Sequence, residues 1–115
     1  MGKYMLTFFG GNMALRYDNL DDAGREAREK HTAAWGAWMA GLARAKNLEA
    51  GYPLKSDGKR IDADGSRDHH FPDTTEGGFI IITAASLDEA AAIAQSSPII
   101  QNGGYVLVRP CGEIE

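Results

Sequence analysis

Residues 78–85, Gly-Phe-Ile-Ile-Ile-Thr-Ala-Ala, form an apolar run that gives way at once to Ser86-Leu-Asp-Glu89. Such a run is far short of the roughly 18 to 20 apolar residues that span a bilayer. Its length and β-branched content predict a strand over 78–84, apolar throughout and so suited to burial on both faces near a sheet centre. Ser86 followed three residues later by Glu89 is a capping box, in which each side chain satisfies a backbone amide of the first helical turn. A helix is predicted from there to about Gln95, with Pro98 beyond its end. A buried strand that feeds directly into a helix needs neighbouring strands, and the rest of the chain must supply them.

Residues 3–9 are rich in aromatic and large apolar side chains and stop at Gly10-Gly11, which predicts a first strand. Residues 10–20 read as a connecting loop. Asp21-Asp22 offers an N-cap and an acidic first turn to a helix that runs to about Lys46, with Ala27, His31, Ala34, Trp35, Trp38, Met39 and Leu42 at helical spacing. Gly24, Gly36 and Gly41 weaken that helix, which suggests close packing against another element. Residues 49–55 and 59–63 flank Ser56-Asp57-Gly58, an Asp-Gly pair that predicts a hairpin turn. Residues 64–77 are polar and read as a long loop, and residues 105–109 as the last strand after the Gly103-Gly104 turn.

The order β-α-β(β)-β-α-β within 115 residues predicts one α+β domain over 1–115. The expected architecture is a ferredoxin-like antiparallel sheet with two helices on one face. The opposite sheet face would then carry uncovered Phe and Ile, for which a second copy of the sheet is the natural cover, so a homodimer is expected. Twelve Lys and Arg against sixteen Asp and Glu give a formal charge of −4, which argues against a nucleic-acid partner. The single Cys111 excludes an intrachain disulfide framework and a Cys-based metal site. The apolar run of the first strand breaks at Gly10-Gly11-Asn12, unlike a signal peptide, so a soluble cytoplasmic protein with no membrane partner is expected.

Six fragments occur in the order seen in one family: Lys3-Tyr4-Met5-Leu6, the His31 to Leu48 helix, Gly51-Tyr52-Pro53-Leu54, Gly77-Gly78-Phe79, Ser86 to Ala90, and Val108-Arg109-Pro110. In these the chain resembles the YCII-related (DGPF-domain) family over nearly its whole length. The resemblance implies a dimeric ferredoxin-like α/β-barrel whose fold relatives include cofactor-free isomerases and lyases, monooxygenases and ligand binders. Enzyme-like members carry a His in the first helix and an Asp after the next Gly-Pro-Leu segment. His31 matches the first and Asp57 is the nearest match to the second, with Tyr52 interposed between Gly51 and Pro53. The Asp-Gly-Pro-Phe signature of the other branch is represented by Asp68-His69-His70-Phe71.

His31 shares its helical stripe with Trp35, Trp38 and Leu42, the face expected to meet the sheet. A neutral imidazole there could serve as general base, with Asp57 or Asp68 orienting it and Trp35, Trp38, His69 and His70 lining a substrate pocket. The competing readings are a half-buried His satisfied by a main-chain carbonyl, and an aromatic stripe that is simply core or dimer interface. Asp68, His69, His70 and Asp73 form a polar cluster, but adjacent His side chains on an extended segment point to opposite sides. The run from Asp62 to Asp68 has its glycine in the wrong place for a calcium loop. No metal and no cofactor are therefore expected. Two functions remain in view: a small-molecule binder or cofactor-free lyase or isomerase with His31 as base, and a non-catalytic ligand-binding or regulatory module that docks a protein partner.

Overall fold

The computed structural model describes residues 1–10, 21–71 and 76–113. The elements run β1 (Gly2–Phe9), α1 (Asp22–Arg44), β2 (Leu48–Pro53), β3 (Asp57–Asp62), β4 (Gly65–His70), β5 (Glu76–Ala84), α2 (Leu87–Gln95), α3 (Pro98–Gln101) and β6 (Tyr105–Pro110). β2, β5, β1 and β6 form one antiparallel sheet in that order, while β3 and β4 pair only with each other. The four-stranded sheet is the ferredoxin-like arrangement, with the β3–β4 ribbon inserted between its second and third strands in sequence.

Alternation along β1 sets the layers. Tyr4, Leu6 and Phe8 are buried, and their register partners on β5 include Ile82 and Ile80. On β6 the partners of Leu6 and Phe8 are Val108 and Val106, which pack against the same core. Leu42 of α1, Ala90 and Ala94 of α2 and Ile99 of α3 close this cluster from above. Both long helices therefore cover one face. Met5, Thr7 and Phe9 point the other way, across from Ile81, Phe79, Leu107 and Tyr105. Tyr52 joins them from β2 at 70% exposure, and Leu107 is 50% exposed. Phe79 and Ile81 on β5 are only half-buried, so this interior strand is covered on one face rather than on both.

The helix ends follow their sequence signals. Asp21 Oδ1 accepts from the Gly24 amide at 2.7 Å, and Ser86 Oγ accepts from Glu89 at 3.1 Å. Glu89 reaches back to the Ala85 amide, one residue earlier than the usual reciprocal bond. α1 ends on Lys46 in the left-handed region (φ 63), with the Asn47 amide donating to Leu42 O. Asn47 then ties the helix exit to β5, accepting from the Thr83 amide and donating to Thr83 O. No helix of the described residues is long and apolar enough to cross a membrane.

Four expectations are corrected. Asp57-Gly58 is not a hairpin turn between β2 and β3: β2 pairs with β5, and Asp57 opens β3 opposite His70. The tight turn is instead Ala63-Asp64 followed by Gly65 at φ 122, a backbone that only glycine adopts without strain. Residues 65–70 are a strand rather than loop, because cross-strand hydrogen bonds and ion pairs hold a ribbon that is polar on both faces. Lys59 Nζ meets Asp68 at 2.7 Å, and Arg60 and Arg67 both bind Asp62. The glycines of α1 do not share a packing role, since a Cβ on Gly36 or Gly41 would meet nothing within 4 Å. The short α3, with Pro98 in its first turn, follows where only a stop signal was read. The connecting loop over 11–20 and the segment 72–75, including Asp73, lie outside the described residues.

Close approach does require glycine at Gly51. A Cβ there would lie 2.5 Å from Ile80 Cγ2 and 2.7 Å from Phe79 O, so any side chain forces β2 away from β5. Gly51→Ala is expected to destabilise the fold by about 1 to 3 kcal/mol. Gly36→Ala, on an open helix face, is expected to stabilise it by up to about 1 kcal/mol. Urea unfolding of the two variants checks both signs.

Candidate functional site

The inner stripe of α1 carries the most chemically equipped group of side chains. His31 and Trp35 are one helical turn apart, with Trp38 and Met39 on the next turn and Leu42 beyond. Ala27 and Ala34, expected on this stripe, are exposed. Trp35 and Trp38 meet edge to face with centroids 5.5 Å apart, and both set their rings against Phe8 of β1, at 5.0 and 6.2 Å. Edge-to-face packing of this kind adds to simple burial. It also fixes the indole planes, so their N–H groups point in defined directions. Trp38 Nε1–H donates to Ser96 Oγ at 2.9 Å, and that hydroxyl donates on to Ile93 O. Trp35 Nε1–H points at His31 Nε2 over 2.9 Å.

The other side of the His31 ring faces α3. The side-chain nitrogen of Asn102 lies 2.8 Å from His31 Nδ1 and also donates to Pro98 O at 3.1 Å. Asn102 caps the C-terminal end of α3 through its own amide. A half-buried imidazole is thus held at both nitrogens by side chains from two elements, with an aromatic wall beside it. Ser97, next to Ser96, buries a hydroxyl that has no partner among the described residues.

The candidate residues fall into two groups. His31, Trp35 and Trp38 come together on α1. Asp57, Asp68, His69 and His70 stand on the β3–β4 ribbon, where with Gly58 and Lys59 they line an open cleft of about 590 Å³. Asp68 is bound there by Lys59, and His69 packs edge-on against Phe71 at 4.7 Å. Asp57 and His70 are a cross-strand pair at the ribbon's root, and both are exposed. His69 and His70 are successive residues of β4 and so stand on opposite faces of the ribbon. Among the described residues no cluster of three or more His, Cys, Asp or Glu is placed to hold a metal ion. Cys111 and Arg109 are exposed at the end of the last strand.

Asn102 was not anticipated. Its only local signal is that of a residue ending a helix before Gly103-Gly104, and nothing in that signal points to a histidine 71 positions earlier.

A model of the YCII-related domain matches residues 12–111 of the chain. Among proteins of curated function none matches its sequence. The fold is similar to the solved structure of 5-chloro-2-hydroxyhydroquinone dehydrochlorinase from Burkholderia phenoliruptrix AC1100, in complex with 2,5-dihydroxybenzoquinone. That match has a TM-score of 0.60 and 18% identity, and covers 96% of this chain and 93% of the other. At this identity the likeness is one of fold.

His31 is only half-buried, and a glutamine in its place could still accept from Trp35 Nε1–H. His31→Gln is therefore expected to change unfolding free energy by no more than about 0.5 kcal/mol. Trp38→Phe, which removes the N–H donated to the exposed Ser96 hydroxyl and thins the aromatic wall, is expected to cost about 1 to 2 kcal/mol. Thermal unfolding separates them, and a large loss for His31→Gln would mark the ring as a packing element.

Proposed function

The chain belongs to the YCII-related domain family, and from that premise we propose that it binds a small, ring-shaped organic molecule between α1 and the sheet and exchanges a proton with it at His31 without a cofactor. The observation that carries this reading is the environment of His31, whose two ring nitrogens face Trp35 and Asn102 beside an aromatic wall. Proton transfer needs a group that changes charge near neutral pH and is held in a fixed orientation. An imidazole positioned from two elements meets both needs. Trp35 and Trp38 offer flat, polarisable surfaces that suit a planar ligand.

The structural neighbour is, by name, a dehydrochlorinase of a hydroxylated, chlorinated ring. Loss of HCl from such a ring requires a proton to be taken up and chloride to depart, and a positioned imidazole serves the first of these. Hydroxylated and halogenated quinols are therefore the first compounds to test. In this reading His31 is the acid–base group and Trp35 and Trp38 the walls. Asp57, Asp68, His69 and His70 stand apart from this group around the ribbon cleft, and in this reading they have no part in orienting His31.

A homodimer belongs to the same proposal. The outer sheet face exposes Tyr52, Leu107 and Tyr105 around half-buried Phe79, Ile81 and Phe9. An apolar surface of this breadth is costly to leave in water, and a second copy would cover it. Sedimentation at micromolar concentration is expected to show a dimer, and a stable monomer would contradict this part of the account.

The competing reading is a non-catalytic ligand-binding or regulatory module. It is favoured by one observation: Trp35 Nε1–H already aims at Nε2, so the ring nitrogen nearest the wall is engaged. Chloride release and quinone absorbance over a panel of chlorinated and unchlorinated hydroxyquinols distinguish the two. An enzyme of this type is expected to lose turnover about 10²-fold or more on His31→Gln, with binding retained. Binding of the panel without turnover by the unaltered protein would favour the module.

A further inference from the structure

The β3–β4 ribbon stands outside the two-layer body of the molecule. The chain measures 44 × 43 × 20 Å. Its thickness is that of one sheet and one layer of helices, each about 10 Å, so the ribbon stacks on neither face. Within the plane, the 23 residues of α1 span roughly 35 Å in one direction. Four strands side by side account for only about 19 Å in the other. The ribbon follows β2, an edge strand of the sheet, and its two strands have six residues each. Extending from that edge, it adds about 20 Å. The radius of gyration of 15.9 Å, against roughly 13 Å for a compact chain of this length, agrees with a projecting arm.

Such an arm gains little order from its own contacts. A lone two-stranded ribbon is at best marginally stable in water. None of residues 57–70 belongs to the core cluster. The Lys59–Asp68 pair across its strands is exposed at both ends, and pairs of that kind contribute little. The arm nevertheless carries apolar side chains at both ends: Ile61 near the tip, 77% exposed, and Phe71 at the root. From the root, exposed Leu54 and Tyr52 continue the apolar surface to the outer sheet face, where Tyr52 meets the Phe79 ring. That face is about 19 Å across and about 20 Å along its paired residues, roughly 400 Å² in plan. A stable interface takes about 800 Å² from each partner. The sheet face alone falls short of this, and an arm continuous with it supplies further area from each protomer.

We propose that the β3–β4 ribbon is a dimerisation arm, which reaches past the β2 edge onto a second copy of this chain and buries Ile61 there. The inference rests on the dimer reading of the outer sheet face and extends it from the sheet to the arm. The charge of the arm fits a copy of itself better than a polyanion. Residues 57–70 hold three Lys and Arg against four Asp, whereas a nucleic acid or an anionic membrane calls for a cationic excess. Lys59 with Asp68, and Arg60 and Arg67 with Asp62, are already paired within the arm. They can therefore approach another protein surface without stranding a lone charge. Two-fold symmetry makes each arm contact twice, once from either protomer, and closes the assembly at two copies.

Two measurements on the full chain test it. The first is sedimentation equilibrium of the unaltered protein and of Ile61→Asp. Because the position is exposed within one protomer, the variant is expected to keep the circular dichroism of the unaltered chain. Its dimer dissociation constant is expected to rise about tenfold or more. The second needs no substitution: amide hydrogen exchange at concentrations above and below the dissociation constant. Amides of residues 57–70 are expected to exchange about tenfold or more faster in the monomer, while those of β1 and β5 change little. A dissociation constant altered less than about twofold by Ile61→Asp, or a ribbon that exchanges equally fast in monomer and dimer, would overturn the arm and leave the sheet-face dimer standing. An unaltered protein that stays monomeric throughout the micromolar range would refute the dimer reading and the arm with it.

Discussion

The antiparallel pairing of β1 with β5 is the constraint on which the rest of the molecule depends. Its register sets Tyr4 across from Ile82 and Leu6 across from Ile80, and so assigns one face of the sheet to large apolar side chains. A slip of a single residue would turn all of them to the other side. With the register as it is, Phe8 rises from the helix-facing side at the end of β1, where Trp35 and Trp38 can set their edges against it. The aromatic wall that holds His31 is thus a consequence of strand pairing. The tie from Asn47 to Thr83 repeats the dependence at the far end of α1, since it fixes where the helix leaves the sheet.

Much of this was legible in the sequence because the main sheet and the two long helices bury one face each. Periodicity reports burial, and α1 carries it, whereas β5 is apolar throughout and so hides that Phe79 and Ile81 are only half-buried. The β3–β4 ribbon buries neither face, and its strands hold together through backbone bonds and pairs such as Lys59 with Asp68. A strand of that kind has no apolar alternation to read. The two Asp-Gly pairs show the same limit from another side. Only Gly65 needs a positive φ, and nothing in the dipeptide itself distinguishes it from Gly58, whose place is set by the approach of Phe71 Cε2 to within 2.9 Å of where its Cβ would be.

The site was legible in part for a related reason. His31, Trp35 and Trp38 share one helix, and their spacing alone places them together. Asn102 reaches the ring through the tertiary fold, by way of a four-residue helix that no propensity marks. Asp57, Asp68, His69 and His70 have the right chemistry for a site, and the ribbon gathers them around a cleft of their own. Family likeness singled out the histidine, and the fold sets it beside Trp35 and Asn102. Around it stand Trp35 at Nε2, Asn102 at Nδ1 and an aromatic wall.

The central claim is that ligands enter at the α1 stripe rather than at the ribbon cleft or the outer sheet face. Two-dimensional NMR of the ¹⁵N-labelled protein, titrated with 2,5-dihydroxybenzoquinone, tests it most directly, because the reporting groups are themselves the proposed contacts. The indole N–H signals of Trp35 and Trp38 and the side-chain NH₂ of Asn102 are expected to shift together, in a saturable manner, with small changes elsewhere. Saturable shifts confined to residues 57–70, or to Tyr52, Phe79 and Leu107 on the outer face, would contradict the account.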